Sequence, residues 1–162
     1  MKQLTFIFLT TFLLTLLYSC KPSCNEEYPT GMDLDYTDDK DQAMDGDDII
    51  SYYNGDKVTE GTAALTSTNN GIQYLFSNSS HKSLFDSNPD KYMPGTGGYC
   101  VVAAAFGKIE AVDKQHYGVY KGKLYFTTNK KAHDMWLKDQ EALTQRGEAM
   151  WPCLVSENGR KI

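Results

Sequence analysis

The chain has 162 residues, 41% hydrophobic and 23% charged, with 16 Lys and Arg against 21 Asp and Glu for a net charge of −5. That length allows one compact domain of about 100 residues plus appendages, and 11 Tyr, 7 Phe and 2 Trp supply enough bulk for a core. An acidic surface repels phosphate, which excludes nucleic acid as a partner.

The chain opens on Lys2 and an uncharged apolar run from Leu4 to Leu17. At a rise of about 1.5 Å per residue such a run reaches about 21 Å, short of the roughly 30 Å hydrocarbon core. A removable signal over residues 1–19 fits better than a permanent span. The run closes on Leu17-Tyr18-Ser19-Cys20, which resembles a bacterial lipobox. Cleavage before Cys20 and acylation of its thiol would attach the protein to a membrane through lipid, each buried CH₂ contributing about 0.8 kcal/mol. The expected location is the bacterial envelope: the periplasmic side of the inner or outer membrane, or the cell surface. An ordinary secretory signal with a chance cysteine is the alternative.

With Cys20 assigned to lipid, Cys24, Cys100 and Cys153 remain, an odd number in an oxidising compartment. At most one intramolecular bridge can form among them, and Cys100 with Cys153 is a candidate pair if the C-terminus folds back. No CxxC is present, so neither a thioredoxin-like motif nor a paired-cysteine zinc site is supported.

Residues 20–45 read as an acidic flexible tether, with Pro22, Pro29 and Gly31 in its first half. Eight aspartates lie between Asp33 and Asp48. Aligned on Asp39, an EF-hand loop would need an oxygen ligand at Ala43 and glycine at Met44, so the calcium pattern fails and a solvated acidic lead-in is expected.

The folded domain is expected over 46–155, followed by a tail over 156–162. Ile49, Ile50, Tyr52 and Tyr53 form an apolar patch before a polar turn at Asn54-Gly55-Asp56. Strands are predicted at Ala63–Thr68 and Ile72–Phe76, joined at Asn69-Asn70-Gly71, since Asn-Gly accepts the positive φ of a type I′ turn. Asn78 or Ser79 caps a short helix with Leu84 and Phe85 inward, ended by Pro89. A Pro/Gly-rich loop over Tyr92–Gly98 leads into a small-residue helix, Tyr99–Phe106, stopped by Gly107. A second hairpin pairs Tyr117–Tyr120 with Lys123–Thr127 around Lys121-Gly122. One helix is expected from Asn129 to about Met150, anchored by Trp136 and Leu137 and broken at Trp151-Pro152. Two β-hairpins interleaved with short helices and a C-terminal helical segment define an α+β fold.

The ordered set Gly46-Asp47-Asp48-Ile49-Ile50-Ser51-Tyr52-Tyr53, Tyr74-Leu75-Phe76-Ser77, Leu84-Phe85 through Asn88-Pro89-Asp90-Lys91-Tyr92-Met93-Pro94, Gly97-Gly98-Tyr99-Cys100, Gly122-Lys123-Leu124-Tyr125-Phe126 and Trp151-Pro152 resembles the YHS-domain family, in its small exported single-domain branch. The resemblance implies a small α+β module of the kind found beside copper transporters, where metal binding is usual. Metal-binding forms carry cysteines where Ser51 and Ser77 stand here, and hydroxyls bind copper or zinc poorly. Some members of the exported branch carry selenocysteine in place of a cysteine, which implies redox chemistry at the position of Cys100.

Physical reasoning also singles out Cys100. Gly97 and Gly98 precede it, Tyr99 adjoins it, and a helix N-terminus would lower its thiol pKa. The competing role is a small buried hydrophobe against the alanine run. His81 is a second redox or metal candidate. His116 and His133 stand alone, with spacing that specifies nothing. The expected function is an accessory role in soft-metal binding, Cu(I) for example, or in thiol redox centred on Cys100, rather than a stand-alone enzyme. The alternative is a non-catalytic interaction module that docks an envelope protein.

Overall fold

The computed structural model describes residues 42–55 and 57–157. The segment expected to be a signal, Cys20, Cys24, most of the expected tether and residues 158–162 of the expected tail lie outside the described residues. Strands β1 (Thr62–Asn69) and β2 (Ile72–Phe76) form one antiparallel hairpin, and β3 (Tyr117–Tyr120) and β4 (Lys123–Phe126) form another. Helices α1 (Ser79–Ser87), α2 (Val101–Ala105), α3 (Lys130–Lys138) and α4 (Gln140–Glu157) complete a small α+β fold. Among the described residues no helix is long and apolar enough to cross a membrane.

Both hairpins turn where the sequence places them, on two left-handed residues: Asn70 (φ 52°) and Gly71 (φ 85°), then Lys121 (φ 50°) and Gly122 (φ 80°). This is the backbone of a type I′ turn, whose twist matches the flanking strands. Asn78 caps α1 by accepting the His81 N–H at 2.9 Å, and Asn129 caps α3 by accepting that of Ala132 at 3.0 Å. Helix α2 ends in a Schellman motif: Gly107 N–H donates to Ala104 and Lys108 N–H to Ala103, with Gly107 at φ 75°.

The main core lies between the hairpins and the one-turn helix Ile49–Tyr53. Tyr52 meets Phe126 and Tyr117 edge-on, with ring centres 5.2 and 4.8 Å apart, and Phe85 packs on Tyr74, Phe76 and Tyr92. A second cluster gathers Cys100, Val101, Val102, Ala103, Tyr125 and Trp136. Helix α4 crosses α2 at Gly147, where a Cβ would come within 2.8 Å of the Val101 carbonyl oxygen. The alanine run of α2 thus meets a glycine, and two helices approach closer than larger side chains would permit.

Several expectations are corrected. Ala43 and Met44 are already core residues, ahead of Gly46, where the sequence placed the start of the domain. Phe85 is buried, but Leu84 is 48% exposed. Likewise Trp136 is buried and Leu137 is 54% exposed. Adjacent residues on a helix point about 100° apart, so one face cannot bury both. The C-terminal segment is two helices rather than one, separated at Asp139 (φ −146°, ψ 57°). This break lets the Trp136 indole reach Thr144 on α4 at 2.9 Å. Helix α4 runs on through exposed Pro152 to Glu157, because Trp151 just before it and Leu154 and Val155 beyond it are buried. Tertiary contact here outweighs the loss of one helical hydrogen bond.

The Tyr53 hydroxyl is buried without a hydrogen bond in good geometry. Burial, opposed by a contact with the Leu124 backbone and aided by the nearby Tyr92 phenol, pushes its pKa from 10.0 to about 12. Because the folded state holds this proton more tightly than the unfolded one, stability falls as pH rises from about 10 towards 12. Tyr53→Phe removes a buried hydroxyl whose contact with the Leu124 backbone is too poor in geometry to offset its desolvation. We expect it to raise stability by about 1 kcal/mol at neutral pH and to flatten the alkaline decline, both read by thermal melting across pH.

Candidate functional site

The acidic lead-in ends inside the protein. Asp48 is completely buried, which a solvated role did not anticipate. Its Oδ1 accepts the Ile50 N–H at 3.0 Å. Its Oδ2 accepts the Ser77 N–H at 2.9 Å and the Ser77 hydroxyl at 2.6 Å, and lies 2.6 Å from His81 Nδ1. Asp48 thereby caps the Ile49–Tyr53 turn, closes the end of β2 and anchors the first turn of α1. The His81 side chain is 18% exposed. With Nδ1 on Asp48, its Nε2 faces Asn54 Nδ2 at 3.3 Å.

Ser51 and Ser77, the positions that the resemblance pairs as ligand sites, converge on this residue. Both hydroxyls are engaged: Ser51 donates to the Asp48 carbonyl at 2.6 Å and accepts the Thr59 N–H at 3.1 Å. Neither is poised beside an imidazole as a nucleophile. The cluster therefore works as a polar staple between three segments.

Asp45 and Asp47 are also bound. Lys114 contacts their carboxylates at 3.3 and 2.7 Å and donates to the Met44 carbonyl at 2.9 Å. Burial disfavours this ammonium, but the two aspartates outweigh it and hold its pKa above the ordinary lysine value. The lysine steadies Met44 and Asp45, both left-handed at φ 55° and 53°.

Cys100 is a free thiol, 1% exposed. Its Sγ accepts the Ala103 N–H at 3.4 Å as the N-cap of α2, so the helix start predicted by the sequence is real but turned into the core. Gly97 and Gly98 serve the backbone, at φ 57° and 82°, and Tyr99 packs on Trp151 with ring centres 5.8 Å apart. His81 and Cys100 sit in separate clusters, one on Asp48 and the other against Tyr125 and Trp136. The Cys100–Cys153 bridge is not formed, since Cys100 is free while Cys153 is disulfide-bonded.

A pocket of about 250 Å³ opens between the tip of the first hairpin, the Met93–Gly97 loop and α4. Met44, Ile72, Tyr74, Met93, Thr96 and Trp151 line it. The Met93 sulfur accepts hydrogen bonds from the Tyr74 hydroxyl at 3.2 Å and from Asn69 Nδ2 at 3.7 Å, which fixes the thioether in the wall. Lys123, another lining residue, is paired with Glu148 at 3.0 Å. Thr96 is buried and left-handed at φ 51°. Its hydroxyl lies 2.7 and 2.8 Å from the Gly95 and Tyr99 carbonyls.

Among the described residues no three His, Cys, Asp or Glu side chains gather as a ready-made metal cage. The chain as a whole finds no match among protein-family models, curated proteins or solved structures.

Two outcomes follow from this geometry. Asp48→Asn places an amide donor against three existing donors, so stability should drop by about 2–4 kcal/mol in denaturant unfolding. Cys100 should resist a thiol probe in the reduced, folded protein and react only on unfolding, because access rather than thiolate formation limits it. Rapid labelling of the folded chain would place the thiol at a functional surface instead.

Proposed function

We propose that this chain is a lipid-anchored binding protein of the bacterial envelope, built on a YHS-like domain, that takes a small and largely apolar ligand in the pocket beside Trp151. The observation that carries the reading is the backbone of the pocket wall. Met44 and Thr96 both line it, and both hold a left-handed conformation that glycine adopts freely and other residues avoid. Such conformations cost about 1–3 kcal/mol each and cluster at ligand clamps and other functional sites. Here each is held in place by its own device, Lys114 at Met44 and the buried hydroxyl at Thr96. The wall is otherwise apolar and aromatic with few polar atoms, the usual make-up of a small-molecule site. Its volume suits a single ring or a short chain.

A thiol-centred role for Cys100 lacks an opening to the sulfur, and the Asp48 cluster has no unengaged hydroxyl to offer. The pocket beside Trp151 instead presents apolar and aromatic side chains to open space.

One experiment tests both halves. Cys20→Ala should move the protein from the membrane fraction to the soluble fraction; a variant that stays membrane-bound defeats the anchor. The released protein is then titrated with benzyl alcohol and its amide resonances followed. Shifts concentrated at Asn69, Asn70, Thr96 and Gly97, and abolished by the pocket-filling change Ala43→Leu, are expected. Shifts scattered over the surface, or unaffected by that change, would defeat the pocket.

A further inference from the structure

His116 and His133, unrelated by sequence spacing, meet in the fold with ring centres 6.0 Å apart and planes inclined at 60°. His116 follows the Asp113 turn into β3, and His133 lies in the first turn of α3. Paired backbone hydrogen bonds bring them together. Thr127 N–H donates to the His116 carbonyl at 2.9 Å, and Asp113 N–H donates to the Thr127 carbonyl at 3.2 Å.

The hydrogen bonds also determine which nitrogen each ring leaves open. His116 Nδ1 lies 3.0 Å from the Asp113 carboxylate, which can only accept, so Nδ1 carries the proton. His133 Nδ1 faces the Thr127 hydroxyl at 3.5 Å. That hydroxyl already donates its proton to the His116 carbonyl at 3.1 Å, so towards His133 it acts as an acceptor and Nδ1 is again the protonated atom. Both Nε2 atoms therefore keep their lone pairs. The nearest ammonium on α3, Lys130, is bound to Asp134 at 2.7 and 2.9 Å.

We propose that His116 and His133 form a two-imidazole site for a borderline first-row divalent cation such as Zn(II), with Asp113 as the carboxylate that orients His116. A tetrahedral ion about 2.0–2.1 Å from one nitrogen of each ring would set the ring centres roughly 5.2 Å apart, so the observed 6.0 Å has to close by less than about 1 Å when the ion binds, within reach of small side-chain rotations. A carboxylate behind the histidine is the usual outer-shell arrangement of such sites and raises the basicity of the ligating nitrogen. Two protein ligands leave the remaining positions to water, so the ion is exchangeable rather than structural. Neither histidine lines the apolar pocket, and this site stands or falls independently of the ligand proposed there.

The test is a titration of the full chain in detergent with Zn(II) alone, followed through the ring resonances of its three histidines. The expected result is one ion per chain, with His116 and His133 shifting together and His81 unmoved. His116→Gln and His133→Gln should each weaken binding at least tenfold while leaving the melting temperature within a few degrees. Asp113→Asn should weaken it about tenfold with unchanged stoichiometry, and His81→Ala should leave it as it was. The proposal is overturned if His81 carries the response, if His116 and His133 titrate with separate affinities, or if both glutamine variants bind as tightly as the unaltered chain.

Discussion

The buried carboxylate of Asp48 holds together the part of the structure from which everything else is positioned. It takes two backbone N–H groups, a serine hydroxyl and an imidazole nitrogen from three chain segments. A carboxylate removed from water is costly unless its lone pairs are matched by donors, and charge-assisted hydrogen bonds are the strong kind. Once matched, it orients the Ile49–Tyr53 turn, the end of β2 and the start of α1 with respect to each other. The aromatic core of Tyr52, Phe76, Phe85 and Phe126 then closes around that frame. The same saturation leaves Ser77 and the Nδ1 atom of His81 with no chemistry to spare.

A second constraint is backbone proximity. The alanines of α2 and Gly147 of α4 let two helices meet almost backbone to backbone, while the break at Asp139 turns α4 so that Thr144 receives the Trp136 indole. This packing carries Trp151 to the Met93–Gly97 loop and encloses the pocket. It also buries Cys100, whose thiol becomes a cap and a packing group in one.

Local features were legible in the sequence. Asn70-Gly71 and Lys121-Gly122 announce their turns, Asn78 its helix start and Gly107 its helix end, because each acts on residues within one turn of itself. Which member of a neighbouring apolar pair would bury was not legible. Leu84 next to Phe85 and Leu137 next to Trp136 differ only in where the helix meets its partner. The continuation of α4 through Pro152 escaped for a related reason, since the burial that sustains it comes from elements far away in the chain.

Asp48 shows the limit most clearly. It stands at the end of a run of aspartates that, on composition, reads as solvated, and only its distance from Ser77 and His81 in space makes it the centre of the fold. The pairing of His116 with His133 was equally hidden, because the proton positions that free their Nε2 atoms depend on Asp113 and Thr127 together. The sequence by itself determined the α+β class, both hairpin turns, the helix start at Asn78 and the helix stop at Gly107, all of which follow from short-range sterics and hydrogen bonding. Tertiary structure alone decided the burial of Asp48 and Cys100, the pocket and the meeting of the histidines. Burial and proximity are properties of segments brought together, and no single stretch of chain encodes them.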